Sequence, residues 1–306
     1  MYRKRPILVT GTHRSGSTWV GQMLSAAPDT GYVHEPFNID IRMGPARDVF
    51  DYWFQYVGPE NQAAYADAIA DVFQFRYPLK NNLRKANSIH EGLKLLKDQG
   101  LFWLYRLRGA LPVVKDPIAF FSAEWMAQQF ELSVVVLIRH PAAFCSSLKL
   151  MNWQFDFSHF AQQPLLLEGY LKPFADEIRL FAAEEKPLLA QAVLFWNCFH
   201  HTIRIYREQH PDWLFIRHED LSASPVEAFQ KLYTALGLTY TAKAKARIDQ
   251  RSGVQNAREH QSNNEFVRNS RANIDNWKRR LTLAEIEFVR AETAAIAQDF
   301  YSDKDW

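Results

Sequence analysis

Five short apolar runs punctuate the chain, each closed abruptly by polar or turn-forming residues: Ile7–Thr10, Gly31–His34, Pro112–Lys115, Ser133–Ile138 and Trp213–Ile216. They are near-continuous rather than alternating, the pattern of strands buried on both faces, as in a parallel sheet covered by helices. Between them the spacing turns helical: Tyr65, Ile69, Val72 and Phe73 fall on one stripe. Ser224-Pro225-Val226-Glu227 reads as an N-cap serine, a first-turn proline and a capping-box glutamate, with Gly237 as the stop. Thr282-Leu283-Ala284-Glu285 is a second capping box, followed by a stripe of Ile286, Val289, Thr293, Ile296 and Phe300. The pattern predicts an α/β fold of three layers around a central five-stranded parallel sheet. No repeat, low-complexity tract or linker composition interrupts it, so residues 1–306 read as one domain. In such open sheets ligands bind beyond the carboxyl ends of the strands, which singles out the polar residues that close each run.

Composition narrows the partners. Hydrophobic residues make up 47% of the chain and charged residues 23%, with a net charge of +2. That balance speaks against a dedicated nucleic-acid binder but leaves room for one local basic cleft. Apolar runs such as Val134–Ile138 are far shorter than the ~20 residues of a spanning helix, and no signal-peptide core follows the N-terminus. Two cysteines, Cys145 and Cys198, form neither a disulfide framework nor a metal-ligand spacing, so a cytoplasmic setting and no metal are expected. His200, His201 and His210 lack the carboxylate or thiol that would complete a metal set.

The most informative segment follows the first run: Thr10-Gly11-Thr12-His13-Arg14-Ser15-Gly16-Ser17-Thr18-Trp19. A strand, a loop with two glycines and a helix in succession let backbone N–H groups converge on one anion at a helix N-terminus. Gly11 and Gly16 match the spacing of the nucleoside-triphosphatase loop G-x-x-x-x-G-K-[ST], but Ser17 stands where the lysine belongs and the cation is Arg14, inside the loop. A dense triphosphate with Mg²⁺ needs that lysine, whereas a sulfate-bearing donor carries less charge at the transferred group.

Arg14 through Leu24 resembles the 5′-phosphosulfate loop of PAPS-dependent sulfotransferases, K/R-S-G-T-T-W. The resemblance implies that Arg14, Ser15, Gly16, Ser17 and Thr18 hold the 5′-phosphosulfate of PAPS and that Trp19 lies near its adenine. Val134–Ile138 runs into Arg139-His140-Pro141, with Ser147 eight residues beyond Arg139. A strand-end guanidinium suits a phosphate, and the segment resembles the family's R-[ND]-P-x-x-x-x-x-S, which implies that Arg139 and Ser147 bind the 3′-phosphate. Here His140 replaces the Asn or Asp. Ser270–Lys278 is similar to R-K-G-x-x-G-D-W-K, with Arg271 at the lysine and Ser270 and Ala272 departing from the pattern. Arg217–Leu221 resembles a Y-E-D-L segment read as structural. The resemblance runs from about residue 7 to 287 and is weakest between Asn38 and Leu111.

An acceptor hydroxyl needs a base. Cytosolic members of the family use a histidine two residues after a strand-end lysine; Lys115 matches the lysine, but Pro117 occupies the histidine position. Glu35, which closes the second run and heads Glu35-Pro36-Phe37, resembles the glutamate base of carbohydrate and tyrosyl-protein sulfotransferases. Asp116 competes, although Asp before Pro at a helix start is an ordinary cap whose backbone bonds would keep it ionised. Lys115 and Arg14 would stabilise charge at the transferred group. The aromatic clusters Tyr52–Tyr56 and Trp153–Phe157 suit either sugar stacking or core packing.

The expected protein is therefore a P-loop-like PAPS sulfotransferase without a metal, acting on a small-molecule or glycan hydroxyl. A P-loop kinase with Asp116 on the metal and a silent nucleotide-binding protein are the alternatives. Lys278, Thr282, Leu283 and Glu287 fit the dimer segment K-x-x-x-T-V-x-x-x-E of cytosolic members, with Leu for Val, which implies a homodimer.

Overall fold

A computed structural model describes residues 4–46, 48–253 and 269–306. All five apolar runs are strands: β1 (Ile7–Gly11), β2 (Thr30–His34), β3 (Leu111–Lys115), β4 (Ser133–Ile138) and β5 (Leu214–Arg217). They form one sheet in the order β2-β3-β1-β4-β5, with every pair parallel. Successive side chains enter different cores. Leu8, Val114, Val134 and Val136 pack into the cluster on one face, while Ile7, Val9, Val113 and Val135 pack into the cluster on the other. That alternation is why the runs are apolar throughout, and it gives the three layers expected.

Helix α1 (Ser17–Leu24) follows β1, and α2 (Ala66–Phe73), α3 (Leu79–Lys85) and α4 (Ile89–Leu107) lie between β2 and β3. Ile69 and Val72 of the anticipated stripe are 1% exposed. Helix Leu188–Gln209 threads the larger core, burying Trp196, Phe199 and Tyr206. The Thr282 capping box forms in full on helix Leu283–Ala297. The one at Ser224 does not: Pro225 begins helix Pro225–Ala235, but the serine side chain accepts no capping bond. Gly237, at φ +63, ends that helix, and Leu238 N–H returns 2.8 Å to the carbonyl of Tyr233. Among the described residues no helix is long and apolar enough to cross a membrane.

The chain leaves β1 towards β2 and β3, then crosses to β4 on the opposite side of β1. This reversal is a topological switch point, where a crevice opens above the carboxyl ends of the strands.

Candidate functional site

A cavity of about 580 Å³ occupies that crevice, and every strand contributes to its wall: the loop after β1, Glu35 after β2, Lys115 ending β3, Arg139 after β4 and His218 after β5. Among the described residues five cations line it: Arg14, Lys115, Arg139, Arg251 and Arg280. The one carboxylate among the described lining residues is Glu35.

The loop after β1 is shaped by steric necessity. Gly11 has φ +128, and a Cβ there would lie 2.5 Å from the carbonyl oxygen of Leu137 on the paired strand β4. Gly16, at φ +92, precedes α1, and a Cβ would lie 2.5 Å from Nδ1 of His218. Arg14 itself adopts a left-handed backbone at φ 64, which exposes its side chain while its Nε donates to Ser147 Oγ at 3.1 Å. Arg139 donates through Nη1 to the Arg14 carbonyl. The two halves of the anticipated nucleotide site are therefore bonded to each other.

Burial, then the neighbouring Arg14 and Arg280 charges, pull the Arg139 guanidinium down to about 10, with Glu219 opposing. Its Nε is buried without a partner among the described residues. A desolvated guanidinium with an unused donor is what an incoming phosphate would satisfy.

Ser17, Thr18 and Trp19 face the cavity, and the Trp19 indole donates to Ser252 Oγ at 3.1 Å. Ser15 does not line it. Its hydroxyl is turned back on the Thr12 carbonyl at 2.5 Å, so it stiffens the loop. Arg271 is exposed at the start of a 3-10 turn and does not line the cavity; Arg280 and Arg251 are the basic residues that the C-terminal third brings to it. His140 faces away from Arg139, into a cage of Trp277, Tyr301 and Trp306, with ring centroids 4.5–5.0 Å away.

Glu35 does not stand uncommitted. Adjacent pairing of β2 and β3 puts His34 opposite Lys115, and Lys115, 1% exposed, pairs its ammonium with Glu35 Oε1. Asn38 donates to Oε2 at 2.8 Å. Burial alone would raise the Glu35 carboxyl, but the Lys115 charge and bond, with His34 and Asn38, hold it below its ordinary value. Its backbone is left-handed at φ 42, a conformation costly for a residue with a Cβ and concentrated at functional sites.

Asp116 is buried and accepts backbone N–H groups from Phe37 at 2.7 Å, Ile118 at 2.8 Å and Ala119 at 3.3 Å. It caps a turn ahead of the 3-10 helix Phe120–Ser122, not an α-helix directly. The expectation that these bonds keep it readily ionised is overturned. Burial and the Glu35 charge push the carboxyl up to about 7, against the backbone bonds and Lys115. The Phe37 bond ties down the chain immediately after Glu35, and its oxygens face backbone, which leaves the kinase reading without its metal ligand.

The structure also shows residues that sequence reasoning passed over. His218 lines the cavity against Gly16 and Trp19; it follows a strand end, the signal that would have found it. His13 lines it too, in contact with Trp153 (4.1 Å) and Phe195 (4.9 Å), and burial followed by the Arg14 charge lowers it to about 3. The two aromatic clusters thus meet around His13, where Phe54 and Phe155 also touch (5.7 Å), and form a wall of the core. His200 stacks on Trp196 and His210 bonds Glu124, so the histidines disperse.

Fold and cavity together define a P-loop-like α/β protein with a strongly basic cradle at the sheet's switch point. A profile described as the sulfotransferase family matches residues 6–242, and the chain belongs to that family. No curated protein matches it. Solved structures similar to it include the sulfotransferase domain from the curacin biosynthetic pathway, at 13% identity over 96% of this chain and 99% of that one (TM-score 0.48). The sulfotransferase domain of the Synechococcus PCC 7002 olefin synthase is similar at 14% over 99% and 98% (TM-score 0.49). Mouse sulfotransferase SULT7A1 complexed with PAP is similar at 12% over 99% and 88% (TM-score 0.48).

Proposed function

We propose that this sulfotransferase moves the sulfuryl group of PAPS to an acceptor hydroxyl, with Glu35 as the general base. The observation that carries the reading is one cavity that, among the described residues, is lined by five cations and a single carboxylate, that carboxylate paired with a lysine. The residues fit a donor phosphorylated at both ends: backbone N–H groups of Gly16–Thr18 with Arg14 for the 5′ end, Arg139 with Ser147 for the 3′ end. PAPS would supply a sulfuryl group activated by its anhydride bond to phosphate.

The protein's own residues do the rest. Glu35 accepts the hydroxyl proton. Lys115 and Arg14 place positive charge where the leaving oxygens gain negative charge. Lys115 is shared between the carboxylate and the donor side; any pull on its ammonium from a bound donor leaves Glu35 more basic, so the base strengthens as the donor arrives. A smaller cavity of about 170 Å³ also has Glu35 in its wall, with Asn38, Asp48, Phe50 and Asp51. Carboxylates, an amide and one aromatic ring suit a hydroxyl-rich acceptor such as a saccharide.

Thermal melting tests the donor. PAP without divalent metal should raise the melting temperature; stabilisation only by Mg²⁺-ATP overturns the reading. Leu283, 80% exposed, suits the C-terminal dimer segment, and a monomer in equilibrium sedimentation removes that part.

A further inference from the structure

Helix α4 turns its apolar stripe the wrong way for a core helix. Leu95 and Phe102 are the residues it buries, whereas Ile89 (86% exposed), Leu93 (62%), Leu96 (53%), Trp103 (60%) and Leu107 (67%) point outward. Their spacing of four, three, seven and four residues, with Gly100 in the gap, keeps all five on one face. A contiguous exposed stripe of this size marks an interaction surface.

Charge identifies the occupant. Residues 79–108 hold seven basic and two acidic side chains, an excess larger than the net +2 of the whole protein. Lys80, Arg84, Lys94, Lys97, Arg106 and Arg108 are all exposed. An apolar face bearing a tryptophan, flanked by lysines and arginines, is the composition of a helix that lies in the headgroup layer of an anionic bilayer. A second copy fits less well, because a two-fold interface on α4 would bring the two basic sets together.

The smaller cavity meets α4 on the opposite side of the helix from this face. Arg42, in its wall, donates to Glu91 of α4 at 2.5 Å, and Lys85 of α3 donates to the Arg42 carbonyl at 3.1 Å and pairs with Asp48. We infer that the exposed face of α4 docks the protein on an anionic lipid surface. Docking does not depend on the sulfuryl-transfer reading, and its test reads binding alone.

The test is sedimentation with vesicles, one set of phosphatidylglycerol and phosphatidylcholine in equal parts, the other of phosphatidylcholine alone. The wild-type protein should pellet with the anionic set at least about tenfold better, and lose that preference in high salt. Leu93→Glu with Trp103→Glu changes two exposed residues, so melting should be unaffected while binding falls about tenfold or more. Lys94→Glu with Lys97→Glu should weaken binding to the anionic set. The proposal fails if the wild type ignores both vesicle sets. It fails if the Leu93/Trp103 variant binds as well as wild type. It also fails if, without lipid, the protein is a dimer that this variant dissociates, since a second copy would then cover the face.

Discussion

On the side of β1, β4 and β5 the cavity wall is made of short loops bonded to one another: Arg139 to the Arg14 carbonyl, Arg14 to Ser147, Gly16 against His218. On the side of β2 and β3 it is made of Glu35, Lys115 and Pro117, and behind Glu35 a long excursion walls the smaller cavity and buries Phe37, Phe54, Ile69 and Val72 in the larger core. The first side offers cations in fixed positions, as recognition of an invariant anionic donor requires. The second offers a carboxylate and a second, smaller cavity, where acceptor shape can vary without disturbing the first. On the function proposed above, donor and acceptor sides should be separable by substitution.

The largest effect expected is on the acceptor side. Glu35→Gln should lower kcat by about 100-fold or more, the usual contribution of a general base, while PAP affinity measured by calorimetry does not fall. Loss of PAP affinity in parallel would mean that the two sides are not separable at Glu35.

The pH profile of kcat/KM sharpens the same point. A base must be ionised, so rate falls as pH drops through its free-protein pKa. Glu35 sits below its ordinary 4.5, whereas Asp116 is pushed up to about 7. With Glu35 as base the rate should hold on its acid side down to the ordinary carboxylate range; an acid limb near 7 would transfer the role to Asp116.

Arg139→Ala probes the donor side. Loss of a charge-assisted bond, worth about 1.5–3 kcal/mol, should weaken PAP by on the order of 10- to 100-fold. Adenosine 5′-phosphosulfate, which lacks the 3′-phosphate, should lose much less, and equal losses would break the assignment.

The smallest effect lies between the two sides. Asp116→Asn places an amide where three backbone donors converge. Stability in urea should drop by about 1–3 kcal/mol, with a modest loss of kcat through slackened positioning of Glu35. An inactive but fully stable variant would contradict the tether.

What was legible in the sequence follows the same division. The strands, the loop and Arg139 were readable because each is written in a local pattern: a buried run, glycines at a fixed spacing, a polar residue at a strand end. Ser15 matches the family's letter and Arg271 stands at the family's lysine, yet which side of the backbone they occupy depends on turns that a pattern does not encode. The partner of Glu35 depended on β2 lying beside β3, a matter of strand order. The tie from Asp116 to Phe37 spans 79 residues. Contacts of that kind follow from the folded topology, so the acceptor side was the harder to foresee.

Arg139 and His140 are neighbours in the chain whose side chains serve different surroundings. Where a strand ends, consecutive side chains depart in opposite directions, so one lines the wet cradle and the other sits among Trp277, Tyr301 and Trp306. The site therefore has a hidden underside. A change at residue 140 meets an aromatic cage and not the cavity, although the family pattern has Asn or Asp there.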